Sequence, residues 1–305
     1  MKKQTIALNS VTALLRNRWL HAAAGLVPGL ALANPAGLDL ASGAVTLTQP
    51  NANTLHINQS TASAVLNWNS FSIGQDEFVI FNQPSSSAVT LNRVLGGSMS
   101  ELLGSMQANG RVFLINPAGI LVGQGAQIDV NSFIASTQNI TDADFLAGNA
   151  SGRYVFSGAS AQSIVNNGNV TAADGGFVVL LGDTVTNTGV IQATKGTVVL
   201  ASGSAMTLDI TGNGLVSYTV DQAALSDAAG VENLGDVLAD GGKVVMTADV
   251  ARSTAKAAVN NSGFVSARSI IEGKNGEIIL SGKGGDVVNS GTLDVSGTAA
   301  SPNAG

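Results

Sequence analysis

Hydrolytic or transfer chemistry needs a histidine, a thiol or a pair of facing carboxylates, and this sequence offers few of them. It has no cysteine and two histidines, His21 and His56. His21 lies in a leader described below, so His56 alone is left, which removes a Ser/His/Asp triad, a thiolate nucleophile and a histidine-rich metal site. His56 sits in the alternating run Thr54-Leu-His-Ile-Asn58 and reads as an exposed strand residue. The acids Asp142/Asp144 and Asp76/Glu77 occupy helix-start and turn contexts, where capping accounts for them without an acid pair across a cleft. Gly284-Gly-Asp286 is one isolated fragment of the tandem pattern a calcium-binding solenoid repeats. No Gly-x-Gly-x-x-Gly lies between a strand and a long helix, so a phosphate cradle is not indicated. The residues imply neither catalysis, nor a metal, nor a cofactor.

What the sequence specifies sharply is a turn. In Arg111-Val-Phe-Leu-Ile-Asn-Pro-Ala-Gly-Ile-Leu-Val-Gly-Gln-Gly125 two apolar runs flank Asn116-Pro117-Ala118-Gly119. Asn116 can bond its side-chain oxygen back to the main chain, Pro117 presets φ at the second position and Gly119 suits the fourth, which predicts a type I turn. The flanks Val112–Ile115 and Ile120–Val122 do not alternate, so they are expected to be covered on both faces or to lie at a tight corner of a parallel, coiled sheet.

The elements that must hold this turn are short strands. Val45-Thr-Leu-Thr, Thr54-Leu-His-Ile, Ala64-Val-Leu-Asn-Trp and Phe78-Val-Ile-Phe are separated by turn-forming segments, with Trp68 and Phe71 expected in the core. Ser98-Met-Ser-Glu101 has the form of a capping box and predicts a short helix carrying Leu102, Leu103 and Met106 and ending near Asn109-Gly110; Thr141-Asp-Ala-Asp-Phe-Leu predicts a second helical turn.

The second half repeats. Asn-x-Gly recurs at Asn166–Gly168, Asn187–Gly189, Asn233–Gly235, Asn261–Gly263 and Asn289–Gly291, the glycines stepping by 21, 46, 28 and 28 residues. A second anchor, Gly followed by a four-residue strand, begins at Gly176, Gly196, Gly242 and Gly276. Two strands per unit at a period of about 20 residues describe coils of a β-solenoid, each burying its apolar side chains only when another lies on it. Asparagines at equivalent turns predict an amide ladder up one edge. The step of 46 has room for about two coils. It also contains Met206-Thr-Leu-Asp-Ile and Leu215-Val-Ser-Tyr-Thr-Val220 around Gly-Asn-Gly, a hairpin thrown out of the stack. Extra residues after Gly263 predict a smaller loop, and about a dozen coils are expected in all.

Residues 1–33 read as an export signal. Lys2, Lys3, Arg16 and Arg18 precede an apolar stretch, and Ala31-Leu-Ala33 places cleavage between Ala33 and Asn34. About 15 apolar residues interrupted by Pro28 and Gly29 fall short of the roughly 20 a membrane span needs, and no later segment reaches that length. Losing four cations and no acid takes the formal net charge from −6 to −10. An acidic chain argues against nucleic acid and against electrostatic adhesion to anionic lipid. Charged residues make up only 11% and mean hydropathy is positive, so residues 34–305 should form one large core, with packing and ladder hydrogen bonds in place of disulfides.

Four blocks, Leu66-Asn-Trp-Asn-Ser-Phe-Ser-Ile-Gly74, Phe81-Asn-Gln-Pro84, Ala88-Val-Thr-Leu-Asn-Arg-Val94 and Gln107-Ala-Asn-Gly-Arg-Val-Phe-Leu-Ile-Asn-Pro-Ala-Gly-Ile120, resemble the amino-terminal secretion domain of filamentous-haemagglutinin-type exoproteins, in particular the high-molecular-weight adhesins of two-partner secretion. The resemblance is strong from Leu38 to Ser204 and continues by pattern beyond. It implies an all-β, right-handed parallel β-helix with an amino-terminal cap and short extra-helical hairpins. It also implies a secretion and folding module of a surface or secreted adhesin, without enzymatic activity, recognised by an outer-membrane β-barrel transporter through periplasmic domains. Its transporter-recognition and secretion motif maps onto Asn116, Pro117, Gly119 and Ile120, with Asn116 expected to be exposed there. The family turn is Asn-Pro-Asn-Gly; Ala118 replaces the second Asn and resists φ > 0. The readings from other classes are a β-helical polysaccharide-acting enzyme and a free-standing binding solenoid, which a cleft with two carboxylates at glycosidase spacing would separate. The tail Gly297–Gly305 carries no amphipathic cap, as expected of the front of a longer exoprotein.

Overall fold

The computed structural model describes residues 34–211, 214–225, 230–250, 257–270 and 275–297. The signal region through Ala33, the pair 212–213, segments 226–229 and 251–256, residues 271–274 in the loop expected after Gly263 and the tail beyond Gly297 lie outside the described residues.

One coil shows the logic of all. Ser163–Asn166 runs to a corner at Asn166-Asn-Gly168, Asn169–Ala172 follows, a second corner spans Ala173–Gly176, and Phe177–Gly182 completes the turn. Each coil thus contributes one strand to each of three parallel faces. On the first face, apolar side chains stack as Leu55, Val79, Met106, Ile128, Val170, Ile191, Val237, Val265 and Leu293. The second stacks Phe133, Val178, Val198, Val244 and Ile278. The third stacks Ile164, Val185, Val231, Val259 and Val287. These columns point inward and form one continuous core up to the last coil, where Val287 and Leu293 are exposed. The fold is a right-handed parallel β-helix, the hand that parallel crossover connections take.

Among the described residues the first face has nine rungs, from Thr54–Gln59 to Thr292–Asp294, rather than a dozen. The step of 46 residues holds one coil, because Thr184–Asn187 pairs directly with Gly230–Asn233. The surplus is the expected hairpin, Ala205–Thr211 antiparallel to Gly214–Gln222. At the amino-terminal end Val45–Asn51 lies antiparallel on Thr54–Gln59 and caps the stack.

The second face has two interiors. Its alternate residues Val65, Leu91, Phe113, Ile134, Val179, Val199 and Val245 point outward yet are fully buried. The helix Asp142–Ser151 and a three-stranded antiparallel sheet, Arg153–Ser157, Ala205–Thr211 and Gly214–Gln222, lie over them. This double coverage is why Val112–Ile115 is apolar without alternation.

Thr141 caps that helix as expected, its hydroxyl accepting from the Asp144 amide at 3.0 Å, and Gly152 ends it with φ +80°. The helix expected from Ser98 to near Gly110 is not formed. Ser100–Leu102 is a third-face strand paired with Ile120–Val122, and Ser105–Ile115 is a long strand crossing two faces. The Glu101 amide donates to Ser72 Oγ at 3.0 Å, not to Ser98. Leu102 and Met106 are buried in the coil core, so stacking against neighbouring coils outweighs a short local helical preference.

Candidate functional site

The Asn116–Gly119 turn forms the corner between the second and third faces. The Gly119 amide donates to the Asn116 carbonyl at 3.0 Å, closing a four-residue turn, and the Ala118 amide donates to Asn116 Oδ1 at 2.9 Å. The positive φ falls on Gly119, at +107°, and not on Ala118. Ala at the third position is therefore compatible with this turn, whose backbone does not call there on the positive φ that Ala118 resists.

Asn116 is 1% exposed. Its Nδ2 donates to the Ser98 carbonyl and to Ser100 Oγ, both at 2.9 Å, in the preceding coil. Its main-chain amide donates to the Ser136 carbonyl, in the following coil, at 2.9 Å. One residue thus stitches three successive coils together. Ile120 is buried at the start of the next third-face strand, and Pro117 is exposed, its carbonyl accepting from Ser160 Oγ at 2.7 Å. The four motif residues are contiguous in space, but only Pro117 faces solvent.

A second polar cluster escaped the sequence reading. The Arg93 guanidinium bonds Asn67 Oδ1, Asn139 Oδ1 and the Ile140 carbonyl at 2.6–3.0 Å, and lies 2.7 Å from Asp142. It therefore ties the start of the covering helix to the second face. One coil position away, Trp68 Nε1 donates to Asn92 Oδ1 at 3.0 Å, and Asn92 Nδ2 to the Phe113 carbonyl at 3.3 Å. The signal lay in the blocks Leu66–Gly74 and Ala88–Val94, but nothing in their spacing links Arg93 to Asn139 and Asp142.

The amide ladder is continuous. Each asparagine Nδ2 donates to the next Oδ1, Asn166 to Asn187 at 2.7 Å, Asn187 to Asn233 at 2.8 Å, Asn233 to Asn261 at 2.8 Å and Asn261 to Asn289 at 2.7 Å. The glycines of these corners lie against one another, and a Cβ on Gly189 would stand 2.1 Å from the Gly168 carbonyl oxygen.

The remaining candidates have structural partners. Asp144 Oδ2 accepts from Thr141 Oγ1 at 2.6 Å, and Glu77 Oε2 accepts from the Gly74 amide at 2.7 Å. His56 is half-buried in its strand, with Nδ1 3.4 Å from Asn82 Nδ2. Among the described residues no three His, Cys, Asp or Glu side chains converge as a metal site would require.

A three-faced parallel β-helix with a capped first coil, one face roofed by a helix and a side sheet, and a stitched Asn-Pro corner defines an architectural class rather than an active site. The family model of the TPS secretion domain matches residues 31–295, and the chain belongs to that family. Two heme/hemopexin-binding proteins of Haemophilus influenzae are similar to it: one is 34% identical over 235 residues, 75% of this chain and 25% of that protein, the other 32% identical over 274 residues, 82% and 28%. The chain therefore spans about a quarter of the length of these relatives. The crystal structure of the HMW1 secretion domain from H. influenzae superimposes with a TM-score of 0.71 at 29% identity, covering 87% of this chain and 74% of that one. The chain is the secretion module of a two-partner-secreted exoprotein, exported across the outer membrane with an outer-membrane transporter as partner. Its family is one of secretion domains and not of enzymes.

Proposed function

We propose that this module serves an adhesin-type exoprotein. The leader is cleaved between Ala33 and Asn34, the unfolded chain docks through its amino-terminal region on periplasmic domains of the transporter, and it folds outside, each finished coil templating the next. Stacking buries apolar area worth about 25 cal/mol per Å², which favours outward movement without another energy source. Amino-terminal sequencing of extracellular protein tests the leader, and retention of Lys2 and Lys3 would refute it.

Within this scheme Asn116, Pro117, Gly119 and Ile120 act as the nucleus of folding rather than as a surface that the transporter reads. The burial of Asn116, with its side chain bonded to the preceding coil, carries this reading. Replacing Asn116 by Ala removes three hydrogen bonds and leaves the Ser98 carbonyl and the Ala118 amide unpaired. The cost is about 2–4 kcal/mol, more than the net worth of a single exposed bond. Extracellular yield and the thermal midpoint of the purified domain should fall together in Asn116→Ala. Secretion lost with an unchanged midpoint would instead make the turn a contact for the transporter.

A further inference from the structure

The roof over the second face is assembled from segments that are far apart in the chain. The helix Asp142–Ser151 and strand Arg153–Ser157 precede the coils spanning residues 163–202, whereas Ala205–Thr211 and Gly214–Gln222 follow them. Among the described residues Arg153–Ser157 pairs along its whole length with Ala205–Thr211, with Arg153 opposite Asp209 and Ser157 opposite Ala205, and before that strand is in place it has a single bridge, from Ser157 to Asn139. Yet Phe113, Ile134, Phe177, Val179, Leu181 and Val199, which this roof covers, belong to coils completed before residue 205. The roof strands bring Tyr154, Phe156, Met206 and Leu208, each 0–1% exposed, onto that face. Phe113 packs against Phe145, Tyr154 and Phe156 with ring centroids 5.2–6.3 Å apart.

A stack grown from the amino terminus therefore passes through a state in which the inner core is closed and the outer side of the second face is bare. We infer that residues 205–222 form a latch that closes only after the coils through Ser202 have stacked, zipping Ala205–Thr211 between Arg153–Ser157 and its own hairpin partner and clamping the second face from Val65 to Val199, with Val245 added when the next coil stacks. The latch converts a stretch that is closed inside but sticky outside into a finished unit on which the remaining coils stack, and it makes return through the transporter unfavourable because the roof ties together segments far apart in the chain. This inference rests on coil-by-coil growth as proposed above, but its test needs no transporter, so the two stand or fall separately.

The test is refolding of the chain begun at Asn34, followed by pulse-labelling hydrogen exchange. Two natural reporters support it. Trp68 lies in the inner core of the first coils, and both tyrosines, Tyr154 and Tyr218, lie in the roof. Amides of 105–136 and 177–202, with Trp68 fluorescence, should reach native protection in an earlier phase, during which an apolar dye binds. Amides of 153–157 and 205–222, with tyrosine burial, should follow in a separate, slower phase that ends dye binding. Leu208→Asp should lose protection in the roof and keep it on the first and third faces, at 169–172 and 184–187; the milder Leu208→Ala should slow only the second phase. Roof and coil amides protected in one phase in the wild-type chain would overturn the inference. So would a Leu208→Ala variant in which both phases slow equally.

Discussion

Replacing Asn187 by Ala probes the amide ladder at its centre. Asn187 is fully buried, accepts from Asn166 at 2.7 Å and donates to Asn233 at 2.8 Å. The substitution deletes both bonds and leaves Asn233 Oδ1 without its donor and Asn166 Nδ2 with only a 3.3 Å contact to the Gly168 carbonyl. Two net hydrogen bonds at about 1 kcal/mol each, plus about 1–3 kcal/mol for the stranded oxygen, give roughly 3–5 kcal/mol. The same change at Asn289, the exposed last rung, deletes the one ladder bond it accepts and a 3.3 Å contact to the Gly291 carbonyl, both where water can replace them, and should cost about 0.5–1 kcal/mol. Urea unfolding of the two variants, followed by far-ultraviolet circular dichroism, compares them directly. Equal losses at Asn187 and Asn289 would refute the reasoning, because the difference between them rests entirely on burial and on two-sided bonding. Asn187→Asp should be worse than Ala, since a buried carboxylate can accept from Asn166 but cannot donate to Asn233.

Two further outcomes follow from particular residues. Lys195 has φ +55° at a corner where the neighbouring coils place Gly175 and Gly241, and its Nζ meets Asp174 at 3.0 Å in an exposed pair. Relief of about 1–2 kcal/mol of left-handed strain is offset by the lost ion pair and by the freedom of glycine in the unfolded chain, so Lys195→Gly should stay within about 1 kcal/mol of wild type in urea unfolding. A loss above about 2 kcal/mol would show the pair to be far stronger than an exposed one. Burial pushes the Tyr154 phenol up to about 12, against a smaller opposing effect of the Arg111 charge. A raised folded value means that its contribution, about 3 kcal/mol, is whole below the ordinary value near 10 and is lost as pH rises from there through about 12. Tyrosinate absorbance of the folded protein should lag behind that of the unfolded chain, and titration of both tyrosines near 10 would contradict this.

The parts of the fold legible in the sequence are those where one residue type does the same work at every coil. The Asn-x-Gly corners announce the ladder because only an amide both donates and accepts along a column, and only glycine fits where carbonyl oxygens approach a Cβ position to about 2 Å. The hairpin at Ala205–Gln222 showed in its alternation, and the cap of the helix at Thr141 in its side-chain chemistry. Non-alternation at Val112–Ile115 correctly signalled two covered faces but not what covers them, since the roof comes from segments up to about a hundred residues away in the chain. The pattern at Ser98–Glu101 misled because capping chemistry is local, whereas the strand pairing that replaces it is supplied by Ile120–Val122 one coil later. For the site, the turn at Asn116 was readable from residue chemistry, but its burial was not. Turns ordinarily face water, and here the coil before it supplies Ser98 and Ser100 as partners.

The central claim, that the chain folds from the Asn116 corner onward as it emerges, is tested most directly by holding it part-way through the transporter with a stably folded passenger at its carboxyl end and adding protease outside the cell. The account predicts that the emerged wild-type stretch survives from the first coil through Ser136 while the chain is still held, and that the Asn116→Ala chain is cut within that stretch. A wild-type stretch digested throughout until release, or an Asn116→Ala stretch equally resistant, would contradict it.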